Sequence, residues 1–162
     1  KETVTIRVHP ADGPGRPVDV EVLLEAVGGP LELGGAPEEN KGYGGLCLRG
    51  APLFKGAALT TDKGLLKEDA INTVFLWADL STADLGVAIF VHPGHPDIPI
   101  PWLVRTSYGG VLNPSWPGLR RAVINPDAPV TLRYRLYIHR GDVASGRVVE
   151  AYQAYAAASA QK

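Results

Sequence analysis

His92-x-x-His95-x-Asp97 places two imidazoles and a carboxylate within one short loop. All three carry lone pairs at neutral pH, so His92, His95 and Asp97 form a candidate set for a divalent metal, with His139 or His9 available to complete it. The His-x-x-His spacing is not the i, i+4 pair of helical zinc sites, and Lys1 at the start leaves no histidine brace for copper. The competing reading is structural: each histidine caps a strand end or satisfies a loop backbone group. A second candidate is Arg105 with Trp102 and Tyr108. A guanidinium fork bonds to hydroxyls or a carboxylate, while aromatic rings stack on the apolar face of a pyranose, so this grouping suits a sugar. Tyr43 and Trp116 are candidates to join it, and Asp97 supplies an acceptor. In the competing reading Trp102 is core and Arg105 pairs with Asp79 or Asp97. If the chain is an enzyme, His92 or His139 acts as acid/base beside Arg105, which stabilises charge. No reaction is singled out. Glu38, Glu39, Asp79 and Asp97 offer no distinguished pair for glycoside hydrolysis. No G-x-S-x-G exists, and the glycine-rich segments are turns without a following helix, so no phosphate-binding loop or other cofactor is indicated.

These residues need rigid elements to hold them. The run Val87–Val91 reads as a buried strand, and Trp102–Arg105 as a second short one, with Pro93, Pro96, Pro99 and Pro101 stiffening the loop between them. Strict alternation predicts half-buried strands at Glu2–His9 and Val18–Val27. Shorter strands are expected at Leu31–Leu33, Tyr43–Arg49 and Phe54–Thr61, and a longer one at Thr73–Leu80. Arg121–Ile124 and Val130–His139 flank Asn125-Pro126-Asp127 and read as a β-hairpin. Val148, Val149, Tyr152, Tyr155 and Ala156 recur at helical spacing, which predicts one terminal helix over residues 145–159. Arg140-Gly141-Asp142 is the turn into that helix. The expectation is one mostly β domain spanning residues 1–162, an antiparallel β-sandwich with a C-terminal α-helix.

Composition narrows the partners. At 162 residues the chain can bury a core. With 16 basic and 17 acidic residues its net charge is −1, which gives no reason to expect nucleic acid as a partner. No run approaches the ~18 apolar residues of a membrane span. The single cysteine, Cys47, excludes an internal disulfide and reads as a buried thiol within Leu46-Cys47-Leu48. The chain starts at Lys1 and has no methionine, which suggests a processed chain, a trimmed fragment or a domain of something longer.

Five segments, GGPLELGG, GYGGLCLR, FLWADLS, GVAIFVHPGHPDIPIPWLVR and LRYRLYIHRG, occur in the order found in a bacterial family. They resemble the C-terminal half of the domain labelled methane oxygenase PmoA-like, and the resemblance covers about Val18 to Ala154. It implies a β-sandwich akin to half of galactose mutarotase, a secreted or periplasmic location and a carbohydrate-related role. His92, Trp102 and Arg105 match the family's motif, whereas His95 stands where the family usually has asparagine. The family's N-terminal half, with its own histidine-rich motif, has no counterpart here, so catalysis needing both halves would be beyond this chain. The leading expectation is therefore an extracytoplasmic carbohydrate-binding or carbohydrate-processing domain. The alternative is a non-catalytic subunit of an extracellular homo-oligomer, in which residues 1–9 exchange into a neighbour's sheet.

Overall fold

The run 87–91 has no polar alternate because both of its faces are covered. Val87, Ile89 and Val91 enter the main core, while Ala88 and Phe90 lie under the terminal helix on the other side. The computed structural model describes residues 1–107 and 109–159. Its strands are β1 (Glu2–Val8), β2 (Gly15–Leu24), β3 (Leu31–Gly34), β4 (Leu48–Arg49), β5 (Ala58–Thr61), β6 (Gly64–Leu65), β7 (Ala70–Val74), β8 (Trp77–Ser81), β9 (Leu85–Val91), β10 (Pro101–Arg105), β11 (Val111–Pro114), β12 (Arg121–Ile124) and β13 (Val130–Arg140). One helix, α1 (Val148–Ser159), follows.

A seven-stranded sheet runs in the order β1-β2-β13-β9-β8-β5-β6, and a four-stranded sheet in the order β4-β11-β10-β7. All pairings are antiparallel. Between the sheets lie Leu59, Leu80, Ile89, Trp102, Val104, Leu112, Leu132 and Tyr134, all nearly solvent-free. The fold is thus an antiparallel β-sandwich with one C-terminal helix, as the alternation predicts. α1 packs Val148 and Tyr155 on Trp77, Ala88, Phe90 and Tyr137, covering the outer face of the seven-stranded sheet.

Several boundaries differ from the sequence reading, each for a physical reason. The run 73–80 is two strands: the chain leaves the four-stranded sheet after Val74 and enters the seven-stranded sheet at Trp77. Phe75, at the crossing, is buried, and its carbonyl accepts the Trp102 indole N–H at 2.8 Å. The expected strand 43–49 is regular only at Leu48–Arg49, because Gly42, Gly44 and Gly45 take φ of +57°, +102° and +68°. A Cβ on Gly44 would stand 2.1 Å from the Trp116 carbonyl, so only glycine lets this segment lie so close. β12 pairs with β3 and not with β13, so the arms of the expected hairpin splay after their tight turn at Asn125–Ala128. The helix starts at Val148, after a turn in which Asp142 accepts the Ser145 N–H at 2.8 Å and Arg147 has φ +51°. Cys47, expected in the core, is exposed. β1 pairs along its whole length with β2 of its own chain, from Glu2↔Leu24 to Val8↔Val18.

Candidate functional site

The histidine loop disperses its side chains. His92 follows β9, its Nδ1 accepts the Gly94 N–H at 2.9 Å, and its ring meets Tyr155 edge-on at 5.7 Å. Burial and the Arg133 guanidinium hold its pKa below the ordinary imidazole value. His95 turns inward: it is 3% exposed, with Nε2 at 3.2 Å from Tyr134 Oη and Nδ1 accepting the Asp97 N–H at 3.3 Å. Because Nδ1 is an acceptor, the ring proton sits on Nε2. Burial pushes its pKa down to about 4. Asp97 accepts the Trp116 indole N–H and pairs with Arg120. Among the described residues no three His, Cys, Asp or Glu side chains are placed to hold a metal ion, so the His92/His95/Asp97 metal set is not assembled.

His139 is equally committed. Its side chain has no exposure, its Nε2 lies 2.7 Å from Asp79 Oδ2, and Ser81 Oγ donates to Asp79 Oδ1 at 2.6 Å. A Cβ on Gly86 or Gly146 would come within 2.3 or 2.1 Å of the ring, so backbone closes it on two sides. Serine, histidine and aspartate meet here, but the aspartate lies between the other two and solvent is shut out. No nucleophile is oriented by a base. His139 pairs with Gly86 whereas the His92 N–H bonds the Arg133 carbonyl. Those positions are six residues apart on β13, roughly 20 Å at strand spacing. The proposed trio His92, Arg105 and His139 therefore does not converge.

Trp102 is wholly buried in the core, which removes it as a stacking platform. Trp116 is 4% exposed and is held by Asp97. Tyr108 lies outside the described residues. Arg105 and Tyr43 do meet. They line one hollow of about 190 Å³ on the outer side of the four-stranded sheet, together with Cys47, Arg49, Leu103, Val111 and Asn113.

Strand register builds this hollow. Arg105 faces Val111 and Val111 faces Arg49, so both guanidiniums rise from the same face with one apolar residue between them. Leu103 faces Asn113 one step along. Leu103, Val111 and Asn113 are nearly solvent-free and form the floor. Tyr43 is brought over it by the glycine-rich segment, which Asn113 ties down by donating its amide N–H groups to the Gly44 and Leu46 carbonyls at 2.9 and 2.8 Å. Arg105 Nε donates to Asp69 Oδ2 at 3.1 Å, and Asp69 Oδ1 in turn accepts the Thr106 N–H and hydroxyl. Although burial opposes it, those Thr106 bonds and Arg105 hold the Asp69 pKa below the usual carboxylate value. Lys41, ion-paired with Glu39, stands within electrostatic reach of Arg105.

Sequence reasoning missed Arg49 and Asn113. The first had a signal: Leu46-Cys47-Leu48-Arg49 ends as Trp102-Leu103-Val104-Arg105 does, in an arginine after apolar residues. Asn113 had none, since its role depends on the carbonyls of a distant segment. On the other side of residues 43–47 runs an apolar groove of about 580 Å³, walled by Val20, Val22, Leu24, Leu33, Leu46 and Trp116. Lys1, Glu2 and Glu25 also line it, with Lys1 paired to Glu25 at 2.7 Å.

A family model matches residues 1–153, and what it describes is a family of unknown function. No curated protein and no solved structure matches the chain. Among the described residues no helix is long and apolar enough to cross a membrane.

Proposed function

Since the chain belongs to that family, DUF6807, whose function is unknown, its own geometry carries the reading, and we propose that it is a carbohydrate-binding β-sandwich domain acting outside the cytoplasm. The observation that supports this is the meeting of Tyr43 and Arg105 over one hollow floored by Leu103, Val111 and Asn113. A partly exposed phenol ring offers a face for a sugar ring, and a guanidinium fixed through Nε offers directed donors for its oxygens. No histidine lines the hollow, so the reading is binding without acid–base catalysis. The extracytoplasmic placement rests on the resemblance to a secreted family drawn from the sequence.

A glycan array probed with the native chain and with Arg105→Ala tests it. Retention of one or more glycans by the native chain, lost in the variant, is expected. An array with no retained glycan ends the proposal.

One observation favours a second reading, an assembly subunit. β1 ends the seven-stranded sheet, all seven of its residues are exposed, and Val4, Ile6 and Val8 are 50, 64 and 59% exposed. An unpaired apolar edge of this kind is a template for another strand. Because β1 is paired within its own chain, such assembly would proceed by edge addition and not by exchange. Sedimentation at rising concentration decides: Ile6→Lys should shift any oligomer to monomer, and a native chain that stays monomeric rules the reading out.

A further inference from the structure

We infer that the Tyr43/Arg105 hollow selects an acidic sugar, one carrying a carboxylate or a sulfate ester; this rests on the carbohydrate reading above. The register Arg105↔Val111↔Arg49 spaces two guanidiniums two strands apart on one face, and both line the same small cavity. Arg49 has no ion-pair partner among the described residues. Arg105 is oriented by Asp69, which is itself held by Thr106. With Lys41 nearby, three cations face two anions, Glu39 and Asp69, in a chain whose net charge is −1. The local excess of positive charge is thus opposite in sign to the whole molecule.

Leu103 and Val111 exclude water beneath the guanidiniums, which strengthens a charge-assisted hydrogen bond made above them. Arginine matches the planar, two-oxygen geometry of a carboxylate better than lysine does. The cavity is smaller than the ~300–1,000 Å³ typical of sites for drug-sized ligands, so it accommodates one ring and its charged substituent. In the bound state Tyr43 covers the ring face, Arg105 holds ring hydroxyls or the acid, and Arg49 takes the acid from the opposite side.

Calorimetric titration with galacturonate oligomers and with the same oligomers methyl-esterified isolates the charge. A sulfated oligosaccharide, set against its desulfated form, distinguishes the source of that charge. The acid form of at least one pair should bind about tenfold or more tighter than its neutral form. Arg49→Ala should remove most of that difference, and Arg49→Lys should retain part of it. Raising salt from about 0.05 to about 0.5 M should weaken the acid form alone. If acid and neutral forms bind equally in both pairs, or Arg49→Ala weakens both alike, the acidic class is wrong and carbohydrate binding stands. If neither pair binds while uncharged glycans are retained, the acidic class is likewise wrong. If no glycan of any kind binds, both readings fall.

Discussion

Arg105 and His139 separate binding from folding. The Arg105–Asp69 pair is part-exposed at 29% and 27%, so its loss should cost only about 0.5–1 kcal/mol. Arg105→Ala should therefore unfold in urea close to the native midpoint while losing its ligand. His139 and Asp79 have no exposure at all, and removing one leaves the other buried without its partner. His139→Ala should lose about 3–5 kcal/mol in the same measurement, with no change in ligand preference if the protein is kept folded. A His139→Ala variant of native stability would contradict the packing described. The separation was partly legible in the sequence. Trp102 and Arg105 are three residues apart on one strand, an odd interval, so they must face opposite sides of the sheet and could not share a site. That parity gives Trp102 to the core once Arg105 is placed outside. Arg49 was harder to connect to Arg105, since only the pairing of β4 with β11 and of β11 with β10 unites them, and Tyr43 joins them only because Asn113 ties down the segment that carries it.

At the scale of elements, periodicity was informative where one face is wet and misleading where backbone conformation decides. β13 alternates Leu132, Tyr134 and Leu136 against Arg133, Arg135 and Tyr137, and it forms as the pattern predicts. The segment 43–49 also alternates acceptably, yet its left-handed glycines break the pleat and deliver Tyr43 to the hollow. The helix adds stability through few contacts. Tyr155 is 6% exposed, packs on Phe90 and lies under the Arg135 guanidinium at 4.3 Å. Tyr155→Ala should cost about 3 kcal/mol by urea unfolding, chiefly from lost aromatic burial. It should leave the opposite sheet, and so the hollow, intact. A variant that loses ligand as steeply as stability would couple two faces that the structure keeps apart.

At the scale of the whole molecule, His95, His92 and Asp19 are among the groups that make folding sensitive to acid. Burial lowers His95 to about 4 from 6.5 and lowers His92 as well. Asp19, against the effect of burial, is held low by Arg135 and His9. A histidine whose pKa is lower folded than unfolded binds fewer protons in the native state, so stability is full above about pH 6.5 and falls toward 4. Asp19 acts in the same sense at lower pH, since its protonation breaks the pairing with Arg135. Urea midpoints should therefore fall steadily from pH 7 to pH 4, and His95→Asn should flatten the upper part of that fall. For His95 alone the full loss is of order 3 kcal/mol. An unchanged slope in the variant would place the titration elsewhere. Two concavities flank residues 43–47, the apolar groove and the cationic hollow, and a third of about 290 Å³ lies beside α1, lined by Arg135, Tyr137 and Arg147 among others. The ligand is assigned to the cationic hollow. A crystal structure of the chain soaked with the glycan that it binds most tightly tests that assignment most directly. The predicted result is a sugar ring over Tyr43 with an oxygen hydrogen-bonded to Arg105; a ring seated in the groove along Val20, Val22 and Leu33, with the hollow empty, would contradict it.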